Sequence, residues 1–237
     1  MVNKNLYTLL VCLLLAGCDL IDYHPYDVRI SGETDVNAHN IEQIEAKCKG
    51  KTTIRFITMG DSQRWYDETE DFVKEVNKRD ESALCRPYRN HDCLGTGAET
   101  YQAVFGPTNF SFIAGNVKFV CLNTNALEYD YSEPIPNFGF MEQELTDRAD
   151  EFEKTVVSMH AHPFADVFND NVAKPFQYYI TQYPGLQFCT AAHNHGFDDR
   201  ILFDDDVHYI VSDCMKSRSY LVFTITPEKY EYELVEY

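Results

Sequence analysis

Positive charge is scarce in this chain. It has 20 Lys and Arg against 38 Asp and Glu, a formal net charge of −18 over 237 residues. That excludes a protein built to grip a nucleic-acid backbone, which needs clustered cations. It does not exclude a phosphate substrate, because a bound metal ion can outweigh local acidic charge. No CxxC pair occurs, so a cysteine-based zinc site is not expected. Apart from Cys12 and Cys18 the cysteines are Cys48, Cys85, Cys93, Cys121, Cys189 and Cys214. Cys121 and Cys189 sit in apolar strand-like runs, where free cysteine acts as a small core residue. Cys85 and Cys93 are close enough for a local bridge. The apolar run at Leu6–Leu15 is too short to span a membrane. Internal repeats, low-complexity tracts and interdomain linkers are also missing.

What is there begins with a targeting signal. Lys4 precedes the apolar run, which ends in Leu15-Ala16-Gly17-Cys18. This resembles a bacterial lipobox, with residues 1–17 as a lipoprotein signal peptide and Cys18 as the acylated residue. The expected location is the cell envelope, with Cys18 as a lipid anchor to the membrane. Residues 18–51 read as a tether with a short strand (Asp27–Ile30) and a helix (Ala38–Cys48), and residues 52–237 as the main domain.

Hydrophobic residues make up 44% of the chain and aromatics 14%, enough for a full core. Periodicity predicts strands at Thr53–Met59, Phe110–Ala114, Val117–Leu122, Thr155–Met159, Leu186–Thr190, Val207–Val211, Tyr220–Thr226 and Tyr230–Tyr237. Gly115-Asn116 and Pro227-Glu228-Lys229 are the hairpin turns. Helices are predicted over Glu68–Lys78 (Phe72, Val73 and Val76 inward), Glu99–Phe105, Phe138–Asp150 and Val172–Tyr183. Mixed elements in one block imply an α/β sandwich.

Three of these strands run into polar residues: Asp61 and Gln63, then His160, then His193 and His195. Carboxyl ends of strands are where open α/β sheets place their sites. A carboxylate, an amide oxygen and several imidazoles suit Zn, Mn or Fe. Each motif alone has a plainer reading. Gly60-Asp61 is a turn, His160 or His162 a satisfied surface or core histidine, and a lone His-x-His is more often structural than metal-binding. Their order and placement make the set more specific than its members.

Gly60-Asp61-Ser62-Gln63, Asn90-His91-Asp92, His160 and His193-Asn194-His195 together resemble the ordered motifs of the calcineurin-like metallophosphoesterase family. The resemblance covers residues 52–237, and with the lipobox the chain resembles lipid-anchored members from Bacteroidetes. It implies a sandwich of two mixed β-sheets flanked by helices, and two divalent ions (Mn, Zn or Fe) roughly 3.5–4 Å apart that clamp an in-line displacement at phosphorus. Asp61, Gln63 and His195 would hold the first ion; Asn90, His160 and His193 the second. His91 would serve as the acid, oriented by Asp92. The partner would be a phosphoester substrate.

One departure stands out. The family's second Gly-Asp motif, whose aspartate bridges the ions, has no counterpart in Arg64–Arg89. An alternative alignment makes Gly60-Asp61 that second motif and removes the first. Either way one central strand is missing, and the site retains two ions or only one. The competing expectation is therefore a catalytically degenerate surface lipoprotein that keeps the fold and binds metal or ligand without turnover. A third reading, a tethered structural or carbohydrate-binding module, draws on Tyr178, Tyr179 and Tyr183, which are better placed to pack a helix into the core.

Overall fold

The computed structural model describes residues 30–63, 65–79, 92, 97–126 and 134–237. The expected signal peptide, Cys18, most of the strand at 27–30, Cys85 and Cys93 lie outside the described residues. One compact unit runs from Glu33 to Tyr237.

Two β-sheets face each other, with helices outside both. The larger has six strands: β2 (Phe110–Ala114), β3 (Val117–Leu122), β4 (Lys154–Met159), β5 (Leu186–Ala191), β7 (His208–Val211) and β6 (Asp198–Ile201), in that spatial order. β3, β4, β5 and β7 are parallel; β2 and β6 close the edges antiparallel. The smaller sheet is antiparallel, β1 (Ile54–Thr58), β8 (Ser219–Ile225) and β9 (Tyr230–Glu236). The eight strands predicted within residues 52–237 are found to within two residues. β6 was not predicted, because Asp-Asp-Arg-Ile carries one apolar residue and an edge strand needs little more.

Alternation along the strands builds two cores from one sheet. Val117, Phe119 and Cys121 of β3, Val156 of β4, Phe188 of β5 and Ile210 of β7 point at the small sheet and meet Leu221, Phe223 and Ile225. Val120, Leu122, Val157, Met159, Cys189, Tyr209 and Val211 point the other way, onto Met141, Phe176 and Ile180. Those last three lie on α4 (Phe138–Glu144) and α5 (Ala173–Ile180). The outer face of the small sheet, Ile57, Tyr220 and Val222, is covered by Phe72 and Val76 of α2 (Tyr66–Val76). Cys48, Cys121, Cys189 and Cys214 are free thiols. α1 (Val36–Cys48) adds Ile44 to the core between the sheets, and α3 is Gly97–Phe105.

Three helical expectations are corrected. Val73 is exposed, because Phe72 and Val76 define the buried face and Val73 lies about 100° round from Phe72. α4 ends at Glu144 rather than Asp150: Lys118, buried on β3, donates to the carbonyls of Glu144 at 2.9 Å and Asp147 at 2.6 Å and folds the following chain back. Tyr183 is buried and Tyr179 partly so, but Tyr178 is 64% exposed.

Among the described residues β1 has a strand partner on one side, β8. The segment that would hold a further strand beside it, between α2 and α3, lies mostly outside the described residues. A cavity of about 280 Å³ borders this edge, lined by Ile57, Thr58, Met59, Phe72, Ser158 and Met159 among others, and it reaches His160. No helix among the described residues is long and apolar enough to cross a membrane.

Candidate metal centre

Asp61, His160 and His193 leave three different strands and meet. β4 and β5 are parallel neighbours, so their carboxyl ends lie side by side, with His160 directly after Met159 and His193 two residues past Ala191. The Ala192 N–H donates to the His160 carbonyl at 2.9 Å, tying the two loops together. Asp61 arrives from the small sheet. It can do so because the residue before it is glycine: a Cβ on Gly60 would lie 2.2 Å from the Asp213 carbonyl oxygen. The Gly60 N–H instead donates to that oxygen at 2.9 Å, and the Asp61 carbonyl accepts from Met215 N at 2.8 Å.

One ligand atom from each of Asp61, His160 and His193 lies within 4.8 Å of the others. Asp61 and His160 are each 1% exposed. His160 Nδ1 stands 3.5 Å from Asp61 Oδ1, and His193 Nδ1 stands 3.3 Å from His160 Nε2. On the outer side of Asp61, His195 Nε2 lies 2.9 Å from Oδ2, and Gln63 Nε2 lies 3.0 Å from His195 Nε2 and 3.4 Å from Oδ2. The structure thus brings together five of the residues singled out in the sequence. Asn90 and His91 lie outside the described residues. Asp92 is half-buried beside the start of α3, where Gly97 abuts its carbonyl.

The backbone here is held against its preference. Among the described residues eight non-glycine positions have left-handed φ, and three are Gln63 (33°), His193 (71°) and His195 (49°). A fourth, Phe164 (70°), follows His160 in the same loop. Each such residue costs roughly 1 kcal/mol or more. Strain of this kind persists where surrounding contacts over-determine it, and it gathers at ligand sites.

Three further residues complete the surroundings. His162 is buried with Nδ1 bonded to the Pro163 carbonyl at 2.7 Å and Nε2 at 2.9 Å from the Asn194 amide. Burial holds its imidazole below the usual histidine range. This is the satisfied core histidine of the plainer reading. The Trp65 ring sits edge-on to His195, centroids 5.5 Å apart. Asp166 accepts from His193 Nε2, and that bond holds its carboxyl below the ordinary aspartate range. Nothing in the sequence marked Asp166, which is 27 positions from its partner in an irregular loop.

One buried carboxylate with two imidazoles at its side, and a third imidazole and an amide beyond, is a donor set that fits a divalent metal ion. Asp61, His160 and His193 can hold one ion; His195 and Gln63 can add ligands on the far side of Asp61.

No protein-family model matches the chain, and no curated protein matches it. Among solved structures the chain is similar to GAP50, the anchor in the inner membrane complex of Plasmodium, at 9% identity and a TM-score of 0.45, over 78% of this chain and 85% of that one. It is also similar to the calcineurin-like phosphoesterase YfkN from Bacillus subtilis, at 8% identity and a TM-score of 0.42, over 78% of this chain and 91% of that one.

Proposed function

We propose that this chain is a metal-dependent phosphoesterase that hydrolyses a phosphate mono- or diester. The observation that carries the reading is the meeting of Asp61, His160 and His193 within 4.8 Å at the ends of three strands. Support comes also from the order of the polar motifs along the chain and from the left-handed backbone at Gln63, His193 and His195. A divalent ion bound there would supply Lewis acidity and neutralise charge on the phosphoryl oxygens. The chain's own part is to present Asp61 as a fixed anion and the histidines as neutral donors. Asn90 would join the ligand set, and His91, oriented by Asp92, would protonate the leaving oxygen. A lipid anchor on Cys18 would place this chemistry at the cell envelope.

The test is hydrolysis of an aryl phosphate monoester and a bis-aryl diester by metal-stripped protein, before and after adding Mn or Zn. We expect stimulation by metal, and a loss of about 100-fold or more in His193→Ala. No metal-stimulated hydrolysis of either ester would sink the reading.

One observation favours a second reading, a protein that binds metal without turnover: no Gly-Asp pair occurs between Arg64 and Arg89 to supply a bridging carboxylate. Metal content separates the two. About one ion per chain without hydrolysis supports the binder, and about two with hydrolysis supports the enzyme.

A further inference from the structure

We infer that Asp166 is a positioning residue that fixes which nitrogen His193 turns toward the metal group. The inference rests on the reading that Asp61, His160 and His193 hold an ion.

His193 lies beyond the end of β5 with a φ of 71°, so no strand pleat dictates where its ring points. Two contacts do. Nδ1 stands 3.3 Å from His160 Nε2, and Nε2 is bonded to Asp166 Oδ1. A carboxylate can only accept, so Nε2 carries the hydrogen. In a neutral imidazole the lone pair then falls on Nδ1. That is the nitrogen facing His160, and so the nitrogen offered to an ion. The arrangement is the one by which a carboxylate behind a histidine sets its tautomer and raises its basicity as a ligand.

Asp166 is held in place by its loop and not by its own burial. Its side chain is 84% exposed, so water could serve it equally well. Its neighbours are pinned: Ala165 and Phe168 are buried, Ala165 N–H donates to His162 O at 3.1 Å, Phe168 N–H donates to Ala165 O at 2.9 Å, and the Val167 carbonyl accepts from Ala126 N at 2.8 Å. Phe164 N–H donates to Asp170 Oδ1 at 3.1 Å. The loop after β4 therefore supplies both a ligand, His160, and the support for the ligand from the next loop.

The experiment is equilibrium titration of the metal-stripped full chain with Co, read by visible absorption and by quenching of Trp65, the single tryptophan, whose ring lies 5.5 Å from His195. Wild type, Asp166→Ala and Asp166→Asn are compared, with thermal unfolding as a check on the fold. We expect Asp166→Ala to bind about 10–100-fold more weakly, with an altered Co spectrum and an unchanged unfolding midpoint. Asp166→Asn keeps an acceptor at the same place and should recover part of the loss. Affinity in Asp166→Ala within about twofold of wild type would overturn this inference and leave the metal centre standing. Equal losses in both variants would assign the effect to charge and overturn the positioning role. No Co binding by wild type would overturn both the inference and the metal reading beneath it.

Discussion

Tyr209 shows how much one side chain can hold. It is fully buried on β7, its hydroxyl donates to Gln177 Oε1, and Gln177 Nε2 donates to Asp205 Oδ2. One strand, α5 and the turn before β7 are thereby joined. Burial pushes the Tyr209 hydroxyl pKa well above its ordinary value of 10. The sign follows from linkage. Below pH 10 both folded and unfolded chains keep the proton, and the contribution is fully present. Above pH 10 the unfolded tyrosine ionises while the folded one does not, so stability falls. Tyr209→Phe should be less stable at pH 8 by about 1–2 kcal/mol, because Gln177 loses its donor. It should also lose stability less steeply above pH 10. Urea unfolding at pH 8 and across the alkaline range measures both; an alkaline slope equal to wild type would refute the account. Tyr183, whose hydroxyl donates to the Met141 carbonyl at 3.2 Å and whose pKa is also raised by burial, leaves part of the slope in place.

At the scale of elements, the turn after β1 delivers Asp61 only because Gly60 has no side chain. An added methyl would lie 2.2 Å from a backbone oxygen of the Ser212–Asp213 turn, which cannot move without disturbing the Ser212 N–H bond to Ala191 at the end of β5. Gly60→Ala should therefore cost about 1–3 kcal/mol by overpacking and weaken metal binding. Gly139→Ala is the control, since the nearest atom to its new methyl is 3.5 Å away. Chemical denaturation and Co titration give the two readouts. Wild-type metal affinity in Gly60→Ala would show that the turn does not set the position of Asp61.

For the molecule as a whole, the two sheets are joined by aromatic rings. Phe188 and Phe223 stack across the gap at 4.8 Å, Phe56 meets Phe119 edge-on across it at 4.9 Å, and Phe56 and Phe223 stack side by side within the small sheet at 4.9 Å. Phe188 belongs to the large sheet and is fully buried, and its strand ends two residues before His193. Phe188→Ala should cost about 3–5 kcal/mol through lost burial and a cavity between the sheets. Because the site is assembled from both sheets, that loss should bring lower metal affinity at temperatures where the protein is still folded. A loss under about 1 kcal/mol by denaturant would mean the sheets are held together elsewhere.

Much of this was legible in one dimension. Short apolar runs named β3, β4 and β5 as strands, and polar residues at strand ends named Asp61, Gln63, His160, His193 and His195 as neighbours. These are local patterns, written by residues adjacent in the chain and by side chains that must choose between water and a core. Tertiary structure alone decided the rest. It ended α4 early through Lys118, left Tyr178 outside, formed β6 from a segment with no apolar repeat, and set Asp166 against His193. Each depends on what a distant segment brings to the same place, and spacing along the chain does not encode such a meeting.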